Sequence, residues 1–240
     1  MLKSPFRPAL IAAALSVLAC AQARADVIKV QMTVDNSYAL FVGNQTSAST
    51  FVGADQNWPS VETYNFNLPS SAYLYVVTAS DRAVAQGFLG QFENLTSGYK
   101  FYSQDTAWQV MATGLGAAAP YTGSAVDLAL LSQEIVDANG GGNPSMGWTN
   151  LTAGGFNGAS PWGAMGGIDA AARWVWYAGG NCNRADPTQG GCNADEWLVF
   201  RIAVAATPTN PNPGTVPEPA SLALVGVGLA AALLGRRRKA

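Results

Sequence analysis

The chain has 240 residues, with 13 Lys and Arg, 15 Asp and Glu, and no histidine. The missing imidazole excludes Ser-His-Asp and Cys-His catalysis and the usual His-bearing zinc and iron sites. Six of the basic residues and all 15 acids lie between Asp26 and Glu218, so this region carries a formal charge of −9 and makes a poor nucleic-acid binder.

In chain order, Lys3 and Arg7 precede an apolar run from Ala9 to Ala19, and Ala23-Arg24-Ala25 supplies small residues at the cleavage positions. Residues 1–25 read as a secretory signal peptide, with the mature chain starting at Asp26. Val17-Leu18-Ala19-Cys20 offers a competing lipoprotein cleavage site, for which Leu18 is a weak fit.

From Val27 the pattern is β. Ile28, Val30, Met32 and Val34 share one face of a strand whose other face carries Lys29, Gln31 and Thr33. Asp35-Asn36 interrupts, Tyr38–Val42 forms a second strand, and Phe51-Val52 ends a short third. In Val61–Leu68, Tyr64, Phe66 and Leu68 alternate with Thr63, Asn65 and Asn67, which predicts a strand with one wet face. Tyr73–Thr78 is apolar on both faces, as in a central sandwich strand; Phe88–Phe92 and Trp108–Ala112 follow. Ser124–Asn139 changes period: Ser124 and Asp127 resemble a capping box, Leu128, Leu131, Ile135 and Val136 share a helical face, and Asn139-Gly140 ends it. Residues 140–167 read as a Gly-rich loop, Ala172–Tyr177 and Trp197–Val204 as closing strands, and 207–215 as an extended Pro/Asn linker. Short strands about ten residues apart, separated by Gly, Asn, Ser and Pro turns, predict a β-sandwich or jelly roll over 26–206.

Cys182 and Cys192 are the cysteines left after signal cleavage, and an exported pair flanking a short loop predicts a disulfide. Of the seven tryptophans, Trp58, Trp108, Trp174 and Trp197 lie in or beside apolar strands and are expected in the core. Trp148 and Trp162 lie in Gly-rich sequence and are the candidate ligand contacts: a ring covers sugar CH groups while neighbouring polar groups take the hydroxyls. Asp35, Asn36, Asp186, Asp195 and Glu196 have oxygens suited to a structural calcium, although Asx turns explain most of them equally well and no EF-hand or other metal motif is present. No motif selects a pair of carboxylates for glycoside hydrolysis, so no catalytic residues are assigned and the protein is expected not to be an enzyme. Asn44, Asn94 and Asn150 begin Asn-x-Thr sequons, read as coincidental.

The C-terminal residues 216–240 combine Val216-Pro217-Glu218-Pro219, an uncharged run from Ala220 to Gly235, and Arg236-Arg237-Arg238-Lys239. The run spans roughly 24 Å as a helix, close to a ~30 Å hydrocarbon core once the flanking cations snorkel. It reads as a transmembrane helix with the basic cluster as its cytoplasmic stop. An ordinary tail anchor is the plainer reading. The motif, short span and basic end together resemble the PEP-CTERM sorting domain of Gram-negative bacteria. That resemblance implies processing by an exosortase, a membrane protease-transpeptidase, from an inner-membrane-anchored precursor, with export to the envelope surface or exopolysaccharide matrix.

The body carries a second resemblance. Val34-Asp35-Asn36-Ser37-Tyr38-Ala39-Leu40-Phe41-Val42-Gly43-Asn44 is similar to a strand pair of galactose-binding-like β-sandwiches, and Trp58, Gly87–Phe92 and Ala172–Trp176 fit later pieces in order. The chain departs from that pattern in having Gly43-Asn44 for Asn-Gly, and in the long segments 113–167 and 178–195. The resemblance implies a jelly-roll sandwich, many of whose relatives bind carbohydrate at loop ends, though fold alone does not assign a ligand. The expected protein is a sorted surface or matrix protein with a non-catalytic carbohydrate-binding sandwich. A purely structural surface protein and a carbohydrate-active enzyme are the alternatives.

Overall fold

The strand periodicity of the sequence is met at once in burial: Ile28, Val30, Met32 and Val34 are all at or below 1% exposure, whereas Lys29 and Gln31 between them are only half-buried. The computed structural model describes residues 26–69, 71–81, 84–116, 126–142, 147–180, 182–194 and 196–204. The elements are β1 (Asp26–Asp35), β2 (Ser37–Asn44), β3 (Ser47–Asp55), β4 (Glu62–Leu68), β5 (Tyr73–Ala79), β6 (Gly87–Asn94), β7 (Tyr99–Tyr102), β8 (Gln109–Gly116), α1 (Leu128–Asn139), β9 (Thr149–Asn150), β10 (Thr152–Phe156), β11 (Arg173–Trp176) and β12 (Glu196–Ala203).

The strands form two antiparallel sheets. The first runs β10-β11-β6-β1-β4, with β7 also paired to β6; the second runs β3-β2-β5-β12-β8-β9. Their inner faces meet in one core: Ile28, Val30, Met32, Phe88 and Phe92 of the first sheet lie against Leu40, Leu74, Val76, Val110 and Phe200 of the second. Phe88 bridges the layers, with its ring 5.5 Å from both Phe200 and Trp108. This is the predicted mainly β sandwich, consistent with the galactose-binding-like resemblance.

Two further layers cover the outer faces. On the second sheet, α1 buries Leu131, Ile135 and Ala138 against Phe41, Tyr75, Val77, Met111 and Val199. This explains why β5 is apolar on both sides. The helix starts later than predicted: Asp127 is its N-cap, and its Oδ1 accepts the N–H groups of Ala129 (2.9 Å) and Leu130 (3.1 Å). Ser124 lies outside the described residues. Leu128 and Val136, expected on the buried face, are 40% and 46% exposed, because the face centred on Leu131 and Ile135 continues to Ala138 instead.

On the first sheet, the segment between β10 and β11 folds over Leu89 and Trp174, bringing Trp162, Met165, Ile168 and Ala172 with it. Asn157 pins that segment. Its Nδ2 donates to the carbonyls of Met165 (3.1 Å) and Ile168 (2.8 Å), and its Oδ1 accepts the Met165 N–H at 2.7 Å.

The stretch predicted as an unbroken Gly-rich loop thus contains β9 and β10. Gly154 breaks the alternation for a packing reason: a Cβ there would lie 2.5 Å from Thr188 Oγ1 and 2.7 Å from Asp186 Oδ1. The expected disulfide joins Cys182 and Cys192, and the Trp176 indole N–H donates to the Cys192 carbonyl at 2.7 Å. Among the described residues no helix is long and apolar enough to cross a membrane; the predicted span in 216–240, the signal peptide 1–25 and the linker 207–215 lie outside them.

Candidate ligand cleft

β1 ends at Asp35, which is paired with Gly87 at the start of β6. The next residue, Asn36, turns the chain across to the second sheet. Its N–H bonds the Ala79 carbonyl at 3.2 Å. Its Oδ1 accepts the Asp81 N–H (2.9 Å) and the Ser80 hydroxyl (3.2 Å), and its Nδ2 donates to Asp81 Oδ2 (3.1 Å). One amide therefore fixes the Asp81 carboxylate next to the β1–β2 turn.

Trp162 arrives from the segment between β10 and β11. It stacks on Trp174 with ring centroids 4.0 Å apart, and its indole N–H donates to Asp35 Oδ2 at 2.7 Å. Trp58, in the connection from β3 to β4, is held by its carbonyl, which accepts the Thr33 hydroxyl at 2.7 Å. Asp35, Asn36, Trp58, Asp81, Val84, Ala85, Pro161 and Trp162 line a cleft of about 220 Å³ at this end of the sandwich.

Asp35 is 7% exposed. Burial pushes its carboxyl up to about 6, against the opposing effect of the Trp162 hydrogen bond and with a further rise from the nearby Asp81. No basic side chain is among the described residues lining the cleft. Aromatic walls beside carboxylate and amide oxygens suit a polyhydroxylated ligand, which offers CH faces and hydroxyl donors together. The volume falls below the roughly 300–1,000 Å³ of pockets for drug-sized molecules, so the cleft has room for one small unit rather than an extended segment.

The other end of the sequence is decided by comparison. A family model described as the PEP-CTERM protein-sorting motif matches residues 215–239. The chain carries a PEP-CTERM sorting signal. No curated protein and no solved structure matches the chain. The PEP-CTERM signal makes this an exported protein whose membrane-anchored precursor is sorted by an exosortase and processed to the cell surface. Val216-Pro217-Glu218-Pro219 and Arg236-Arg237-Arg238-Lys239 both fall in the matched stretch, outside the described residues.

In the body that precedes the PEP-CTERM signal, the two candidate tryptophans part company. Trp162 reaches the cleft but, at 6% exposure, is not the exposed platform its Gly-rich surroundings suggest: the stack on Trp174 buries it. Trp148 lies elsewhere, half-buried on the outer face of the second sheet. Its indole N–H donates to Asn139 Oδ1 (2.9 Å), and the Arg201 guanidinium sits 3.7 Å from its ring. Trp58 corrects the opposite expectation. Assigned to the core with Trp108 and Trp174, it is only partly buried and lines the cleft, because its connection crosses the outer face of the first sheet. Trp108 and Trp174 are fully buried as expected, and Trp197 is half-buried.

The four candidate calcium ligands among the described residues form no common site. Asp35 bonds Trp162, and Asn36 bonds Asp81. Asp186 Oδ1 accepts the Thr188 N–H (3.0 Å) and hydroxyl (2.6 Å), and Glu196 Oε2 accepts the Gly114 N–H (2.8 Å). Asp195 lies outside the described residues, among which no group of three acidic, Cys or His side chains is placed to hold a metal. The sequons acquire a local reason. Asn44 and Asn94 sit at the tips of the β2–β3 and β6–β7 hairpins, where each Oδ1 accepts the backbone N–H groups two and three residues on.

Proposed function

We propose that the sorted body is a non-catalytic carbohydrate-binding module that holds one sugar unit of an extracellular polysaccharide in the cleft at the β1–β2 turn. The observation that carries this reading is the convergence of Trp58, Trp162 and Pro161 with Asp35, Asn36 and Asp81 in one concave site. Trp58 supplies the accessible ring, and Trp162 supplies a wall and orients Asp35. Asp81, tied down by Asn36, supplies an acceptor for sugar hydroxyls. Binding here uses no cofactor.

The test is a polysaccharide pull-down and glycan array with the protein, run with calcium and with chelator. Trp58→Ala should weaken binding about tenfold, the loss of ~1.4 kcal/mol. Trp148→Ala, whose ring covers Arg201 outside the cleft, should leave binding unchanged. Binding unaffected by Trp58→Ala would place the ligand elsewhere. Failure of the folded protein to bind any polymer would leave a purely structural surface role.

A further inference from the structure

We propose that β4 is a self-association edge: two copies of this chain pair their β4 strands antiparallel about a two-fold axis at Asn65, joining their first sheets into one.

Among the described residues, the other sheet boundaries are short or irregular. On the second sheet, β3 carries two register shifts against β2; β9 is two residues long, and the part of β8 beyond it is interrupted by a register shift against β12. On the far side of the first sheet, β10 is broken by a register shift and β7 has four residues. Short strands and bulges are the usual devices that prevent edge pairing. β4 has neither. Its seven residues pair with β1 in one unbroken register from Asp26↔Leu68 to Met32↔Glu62, and its only charge is Glu62 at one end.

The strand is also self-complementary. A two-fold axis at Asn65 sets Thr63 opposite Asn67, Tyr64 opposite Phe66 and Glu62 opposite Leu68, so no like charges face each other. Tyr64 and Phe66 lean on the central core yet stay half-buried at its rim, while Thr63, Asn65 and Asn67 are exposed on the outer face. A second β4 would cover the rim of the core and continue the polar face. Precursors anchored in one membrane are confined to a plane, which raises their effective concentration for such a contact.

The experiment uses the full chain in detergent with Cys20 replaced by Ser and a short thiol–thiol cross-linker. Asn65→Cys should cross-link to a dimer, because the two-fold brings the two Cβ atoms to about 5 Å. Thr63→Cys alone should not, since its two copies would be about 13 Å apart along the strand. A mixture of Thr63→Cys and Asn67→Cys should. Asn65→Lys should weaken dimerisation in analytical ultracentrifugation roughly tenfold by opposing two like charges. At concentrations where both proteins are monomeric it should leave the melting temperature of the body unchanged, because Asn65 is exposed. No cross-link at Asn65→Cys, or equal cross-linking by Thr63→Cys alone, overturns the proposal.

Discussion

Asp35 illustrates how one residue can be set by its surroundings and be read in a pH titration. Its carboxyl is raised from 3.8 to about 6, chiefly by burial. The folded protein therefore holds a proton that the unfolded chain gives up between these values. Stability contributed by neutral Asp35 is present below about pH 4 and is lost as pH rises through about 6. Asp35→Asn should remove that loss while keeping an oxygen for the Trp162 indole N–H. Thermal melts at pH 4 and pH 7 should show the variant gaining on the native protein by about 2 kcal/mol across the interval, less than the full shift implies because the cleft admits water. Equal pH dependence in the two proteins would show that Asp35 ionises freely in the fold.

At the scale of elements, α1 depends on one side chain at its start. Asp127 Oδ1 satisfies two N–H groups of the first turn, so Asp127→Ala should cost about 1 kcal/mol in denaturant unfolding and speed amide exchange at Ala129 and Leu130. The sequence showed the helix because of apolar residues at helical spacing, of which Leu131 and Ile135 lie on the sheet face. It misplaced the start because Ser124 and Asp127 both suit a cap. The long strands were legible for a similar reason: in β1 and β4 strict alternation maps directly onto a buried and an open face. β7, β9 and β10 were not, since two to five residues give too little alternation to detect, and in β10 Gly154, kept small by Thr188 and Asp186, adds no side chain to the pattern. The cleft was half legible. Asp35, Asn36 and Trp162 stood out as polar or aromatic residues in turns. Trp58 was assigned inward, because nothing in its local pattern reveals that its connection borders a site completed more than 100 residues later by Trp162.

For the whole molecule, sorting and body are separately testable. Replacing Pro217-Glu218-Pro219 by Ala-Ala-Ala should leave an unprocessed precursor in the membrane fraction, detected by its size and its failure to reach the surface. The sandwich should melt as before, since its described core is built from residues between Ile28 and Val204. Normal maturation of this variant would remove the signal from its assigned role.

The register of the outermost strands fixes one more property. Asp26 lies beside Leu68 and Ala203 beside Tyr73, so the chain enters and leaves the sandwich at the pole of the β4–β5 connection. The cleft lies at the other pole, where Asp35 meets Gly87 and Ser37 meets Ala79. About one strand length, roughly 30 Å, separates the two. The described body therefore has its two chain ends at one tip and the candidate cleft at the other. On the proposed function, shortening the linker or changing what holds the C-terminal end should leave binding at the cleft unchanged.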